Sequence, residues 1–330
     1  MDKRLLFILF VIIIIAIPIS FASDDINFTD NMGIVEDNYY NSTVNEIDNN
    51  QFNSDDVNFE KNFSTNLQEN DSSNNRGNTI IHNNLNKYYG SSDPFTITIL
   101  DSNNVGVSGI SITFNVHGVN YFRTTNSLGV ASLDINLDSG TYDAYTTIND
   151  FSVTYHRYIT ILPTIIGNDV VKYYKNGTQY YATFYDTSGN LLTNTQVTFN
   201  INGVFYTRTT NSSGVAKLNI NLDPGFYIIT AINPCNNELR SNNITVLSTM
   251  SASDLIMNYG DGSKFKVYLV DGQGNPYANQ VITFNINGLF YYRTTDSNGI
   301  ASLDINLAPG NYIVTSSHNG LSISNNIIVN

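Results

Sequence analysis

From about residue 87 onward, apolar and polar positions alternate with a period of two. In VAKLNINL (215–222), Ala216, Leu218, Ile220 and Leu222 fall on one face, and Lys217, Asn219 and Asn221 on the other. That is the pattern of a strand buried on one side only. In the last third of the chain it predicts strands at 255–259, 265–270, 281–286, 289–294, 300–305, 312–316 and 321–329. Turn-forming stretches separate them: DGQGNP, NG, DSNG, APG and HNG. Short strands at this spacing, with no helical period between them, predict an all-β fold of the sandwich type.

The pattern repeats. Phe114, Phe199 and Phe284 are each 85 residues apart, as are Asp101, Asp186 and Asp271, then Gly129, Gly214 and Gly299, then Tyr142, Tyr227 and Tyr312. A step of this length is too long for a solenoid unit and suits one small domain per copy. The expected domains are 86–165, 169–249 and 253–330, in uninterrupted register. The joints, ILPTIIGNDVV and VLSTMSASDLIM, are short and partly apolar, which predicts an extended series rather than a folded-back one. In NLDPGFY a tyrosine follows a Pro-Gly corner, where sandwich domains place a tyrosine whose hydroxyl bonds back to the main chain.

The amino-terminal quarter is of different material. A basic MDKR, an apolar LLFILFVIIIIAIPI and small residues ending at Ala22 have the layout of a secretory signal peptide over 1–22. Leu5–Ala22 also reaches the lower length for a membrane anchor, so cleavage and retention both stay open. Residues 23–85 are rich in Asn, Asp and Ser, and their twelve acidic residues against Lys61 and Arg76 account for −10 of the chain's −13. Such composition predicts a disordered acidic spacer. The net charge argues against nucleic acid and anionic membrane surfaces as partners, leaving an uncleaved signal segment as the only membrane contact.

Few residues offer chemistry. The histidines, His82, His117, His156 and His318, occupy no equivalent repeat positions, and Glu238 is the only glutamate beyond residue 85. No nucleophile elbow, metalloprotease helix or phosphate loop occurs, so no catalytic residue, metal or cofactor is expected. Asp101, Asp186 and Asp271 begin equivalent loops, but each loop supplies a single carboxylate, which suits a turn better than calcium. Cys235 is alone, which excludes an internal disulfide. Tyr173, Tyr174, Tyr180 and Tyr181 are candidates for stacking on sugar rings. Asn27, Asn41, Asn62, Asn70, Asn176, Asn211 and Asn243 head glycosylation sequons.

One basic residue recurs in every copy: Arg123, Arg208 and Arg293, each closing a hairpin such as NINGVFYTRTT. A two-residue Asn-Gly turn pairs Ile201 with Val204, Phe199 with Tyr206 and Val197 with Arg208. The arginine therefore shares the apolar face and belongs to the scaffold, its stem covering core residues at the rim. Its strand ends at the edge where the preceding strand delivers the loop aspartate. That predicts three pairs, Arg123 with Asp101, Arg208 with Asp186 and Arg293 with Asp271, or arginine bonds to carbonyls of those loops.

The D-x-x-G, T-[ND]-x-x-G-x-A and P-G-x-Y signatures in YDTSGNLLTNTQVTFNINGVFYTRTTNSSGVAKLNINLDPGFYIITA resemble the Ig-like repeats of adhesin-like surface proteins of methanogenic archaea, related to bacterial Ig-like repeats. The resemblance covers all three copies. It implies tandem Ig-like β-sandwiches without enzymatic activity, at the cell surface or outside the cell. The implied role is that of an adhesin or stalk contacting a cell-surface or cell-wall component, protein or glycan. Two other readings remain open at this point: a secreted carbohydrate-binding module, and a structural subunit of the cell envelope.

Overall fold

A computed structural model describes residues 77–330. The expected signal segment over 1–22, the acidic stretch through residue 76 and the sequons at Asn27, Asn41, Asn62 and Asn70 lie outside the described residues. All regular structure among them is strand. The first group comprises β1 (Thr79–Ile81), β2 (Leu85–Tyr88), β3 (Phe95–Leu100), β4 (Ser111–Val116), β5 (Val119–Thr124), β6 (Val130–Leu133), β7 (Gly140–Ile148) and β8 (Val153–Leu162). The second comprises β9 (Ile165–Gly167), β10 (Val170–Tyr173), β11 (Gln179–Phe184), β12 (Gln196–Ile201), β13 (Val204–Thr209), β14 (Val215–Asn219), β15 (Gly225–Ile232) and β16 (Leu239–Leu247). The third comprises β17 (Met250–Ala252), β18 (Leu255–Met257), β19 (Lys264–Leu269), β20 (Val281–Ile286), β21 (Leu289–Thr294), β22 (Ile300–Asp304), β23 (Gly310–His318) and β24 (Leu321–Val329).

Each group folds into a three-stranded and a five-stranded sheet. In the second group the orders are β14-β11-β9 and β10-β16-β15-β12-β13, and the others repeat them. The chain is thus a tandem of three Ig-like sandwiches. Alternation in the sequence becomes alternation in burial: β12 buries Val197, Phe199 and Ile201, and β14 buries Ala216 and Leu218. The cores rest on equivalent aromatic pairs, Phe95 with Phe114, Tyr180 with Phe199 and Phe265 with Phe284. The corner tyrosines behave as expected. Tyr142, Tyr227 and Tyr312 donate to the carbonyls of Asp138, Asp223 and Ala308 at 2.9, 2.8 and 2.9 Å.

Two expectations need correction. Every sandwich begins earlier than the alternation indicates, because its leading strand is split. A three-residue strand pairs antiparallel in the small sheet (β9 with β11), and the chain then switches to pair parallel with the last strand of the large sheet (β10 with β16). Three residues are too few to show a period. The first sandwich accordingly starts at Thr79, within the stretch assigned to the acidic tail, and buries Ile80 and His82. The 85-residue register also fails at the end of the third copy. There His318 and Leu321 flank a two-residue Asn-Gly turn, whereas Ile232 and Leu239 flank a six-residue loop, so the final strand is displaced by two residues.

Candidate functional site

The hairpin pairing is the expected one, with Val197 opposite Arg208, Phe199 opposite Tyr206 and Ile201 opposite Val204. The Arg–Asp pairs do not form. Arg208 Nη1 donates to the carbonyl of Thr207 at 2.7 Å, and Arg293 Nη1 to that of Tyr292 at 2.9 Å. Arg123 donates from Nη1 to Phe122 O at 2.8 Å and from Nε to Ser132 O, on β6, at 3.2 Å. The reason is the sheet order. The arginines sit on an edge strand of the large sheet, facing the edge strand β6, β14 or β22 of the small sheet. The loop aspartates follow the middle strand, one strand further away. Their carboxylates are also already engaged. Asp186 Oδ1 accepts the amides of Ser188 (2.9 Å) and Asn190 (2.8 Å), and Asp101 and Asp271 cap their own loops in the same way. Asn126, Asn211 and Asp296 repeat that motif in a second loop of each copy.

A periodic clamp escaped the sequence reading. Where the leading strand switches sheets, Asp169 accepts Asn243 N at 2.8 Å, Asn243 Nδ2 at 3.0 Å and Asn242 Nδ2 at 3.3 Å. Asp254 does the same with Asn326 and Asn325, and Asn84 accepts Tyr158 N at 2.9 Å. The bond from the Asn243 backbone amide, aided by the two side-chain amides, holds the Asp169 carboxyl below the usual range. The signal was present in the sequence, since Asn84, Asp169 and Asp254 share the 85-residue step.

Two lysines are buried at equivalent positions. Lys172 Nζ donates to the carbonyls of Asn176 (2.6 Å), Thr178 (3.1 Å) and Ile220 (2.8 Å), and Lys87 Nζ to those of Asp93 (3.2 Å) and Ile135 (3.0 Å). Burial lowers the pKa of both. In the third copy Met257 takes the place. His82 contacts Thr96 O at 2.7 Å and Thr146 Oγ1 at 2.9 Å. Burial pulls its pKa down to about 4, against the Thr96 bond and with help from the Arg157 charge.

The joints between sandwiches are built rather than slack. At the first, Tyr88 stacks on Tyr185 with ring centres 6.2 Å apart and lies so close to Gly189 that an added Cβ would fall 2.2 Å from its ring. Beneath it, buried Thr164 gives its amide (2.5 Å) and hydroxyl (2.6 Å) to Glu238 Oε2. Thr164 Oγ1 accepts Asn233 Nδ2 (2.8 Å) and Asn236 Nδ2 (2.9 Å), and Asn236 also reaches Tyr89 O at 2.8 Å. At the second joint Tyr173, the equivalent of Tyr88, lies over Gly274, the equivalent of Gly189. Lys175 Nζ reaches Asn319 O at 2.6 Å, Asn176 Nδ2 reaches Gly272 O at 2.8 Å, and Tyr174 packs against both the second and third cores.

These contacts dispose of the tyrosines considered for sugar stacking. Tyr173 and Tyr174 belong to a joint, and Tyr180 is fully buried with its hydroxyl on Asn242 Oδ1 at 2.7 Å; only Tyr181 is exposed. An aromatic cluster stands instead on the outer sheet face of the first sandwich. His156 stacks on Tyr145 (4.7 Å), meets Tyr158 edge-on (4.8 Å) and touches Asp143 at 2.7 Å. Cys235 is exposed on the loop that forms the first joint.

Among solved structures the chain is similar to the I9–I11 tandem of titin (13% identity, covering 76% of this chain and 98% of that one, TM-score 0.29). It is also similar to the Escherichia coli adhesin FdeC (15% identity, 77% and 97%, TM-score 0.23). A 1.5-MDa bacterial ice-binding adhesin is a third such structure (16% identity, 78% and 92%, TM-score 0.22). No family model matches the chain, and no curated protein does. The Ig-like assignment therefore rests on the chain's own sheet order and register.

Proposed function

We propose that this is an exported, non-enzymatic protein of the cell surface, a stalk or adhesin whose three Ig-like sandwiches act through non-covalent contacts. One observation carries the reading: residues one repeat apart, Tyr88 and Tyr173, make the same contact with Gly189 and Gly274 at successive joints. A tandem whose successive joints share this contact holds its domains at a set spacing, which is what a connector between a cell and its contact partner requires. The interior ionisable groups, His82, Lys87, Lys172 and Glu238, bond to main chain or hydroxyls of the scaffold. The partner is a cell-surface or cell-wall component, and the resemblance of the repeats to those of methanogen surface proteins supports an archaeal envelope as the setting. Protease shaving of intact cells, combined with extraction with and without detergent, tests this. Release of the sandwiches from intact cells supports surface display, and full protection overturns it.

The second reading, a carbohydrate-binding module, draws on the Tyr145–His156–Tyr158 cluster beside Asp143. Sugar binding lost on Tyr145→Ala would favour it over a stalk without ligand.

A further inference from the structure

The outer face of the second sandwich carries an apolar patch that the fold leaves open. Phe226 is 87% exposed, Val171 66% and Ile228 60%. They line, with Asp169, Asn243 and Thr245, a shallow, open depression. The sheet register places them around one side chain. Asn243 lies directly opposite Ile228, and Thr245, two residues on along the same face, lies between Phe226 and Val171. Asn243-Ile244-Thr245 is a glycosylation sequon.

We infer that Asn243 carries an N-linked oligosaccharide whose first sugar residues lie over Phe226, Val171 and Ile228. The inference rests on the export proposed above. In the linking step a glycosyl phosphate donor is attacked by Asn243 Nδ2. The Nδ2–C1 bond forms and the C1–O bond to phosphate breaks. The phosphate leaves with the electron pair, and one amide proton passes to a base of the transferase. The linked nitrogen keeps one N–H, and one is all that the 3.0 Å bond to Asp169 Oδ2 requires. That bond holds the side chain, and so the sugar's exit direction, relative to the patch. An apolar ring beside the linkage suits the C–H face of a sugar, while Thr245 supplies the hydroxyl the sequon needs. The other copies lack the combination. The third has Asn311 and Ile328 at the positions of Phe226 and Thr245, and the first has Tyr158 in place of Asn243. The two other described sequons stand away from this patch, Asn176 in the second joint and Asn211 on an exposed loop.

The test uses full-length protein from the cells that make it, mapped by peptide mass, with protease shaving of intact cells as the independent readout of export. The peptide containing Asn243 is expected to be heavier by an oligosaccharide. Thr245→Val, which keeps the shape and strand preference of the residue, is expected to lose that mass. It is also expected to raise hydroxyl-radical oxidation of Phe226 severalfold, with the circular dichroism spectrum unchanged. Shaved protein with a bare Asn243 overturns the inference and leaves export standing. Protein that resists shaving overturns both. Phe226 oxidised to the same degree with and without the sugar, or protected in both because a protein partner covers it, overturns the seating on the patch.

Discussion

Gly299→Ala separates backbone conformation from steric contact in one loop of the third sandwich. Gly299 has φ +73°, and a Cβ there would lie 2.3 Å from Leu269 O and 3.0 Å from Tyr277 N. The left-handed conformation alone costs alanine ~1–2 kcal/mol. Leu269 O cannot retreat freely, because it accepts Tyr277 N at 3.0 Å, while Leu269 N donates to Gly299 O at 2.8 Å. Displacing it strains both bonds, at about 1 kcal/mol each. The expected loss is therefore ~3–4 kcal/mol. Gly288 is the control: its φ is +82°, but nothing lies within 4 Å of an added Cβ, so Gly288→Ala should cost only ~1–2 kcal/mol. Native-state hydrogen exchange, read on peptides from β19, measures the stability of this sandwich without the other two. Equal losses in the two variants would refute the steric reasoning, because the loop would then be absorbing the methyl group at no cost.

The first sandwich should lose stability in acid through His82. Its pKa is about 4 in the fold against 6.5 unfolded, so between those values the unfolded chain binds a proton that the native chain does not. Stability falls as pH drops from 6.5 to 4, by about 3 kcal/mol in all, and His82→Gln should flatten that slope in exchange measurements on β3 peptides. Lys172→Met copies the third sandwich, where Met257 stands, but strips three carbonyls of their donor. It should cost about 2 kcal/mol in urea unfolding, and a neutral result would show that the carbonyls find water. Glu238→Gln should cost about 1–3 kcal/mol, since it keeps an acceptor for Thr164 but puts an amide without an acceptor in place of the buried, unpartnered Oε1. A loss beyond that range in thermal unfolding would show that the charge itself is needed at the joint.

Much of the architecture was legible in the chain because its causes are local. Period-two alternation set which residues of β12 and β14 face inward, Asn-Gly turns set the hairpin that pairs Val197 with Arg208, and the 85-residue step made each copy predict the next. Three features were decided only in the tertiary structure. The split leading strand is three residues long in the small sheet, too short to carry a period, and its place comes from pairing with a strand more than ten residues away. The arginine's partner depended on which strand lies beside it across the sandwich. Sheet order is a property of the assembled layers, and it put β14 between Arg208 and Asp186. The joints bring Tyr88 to Gly189 and Asn236 to Tyr89, about 100 or more positions apart in sequence. Composition marked these residues as turn formers and strand formers; their role as connectors followed only once two folded surfaces met.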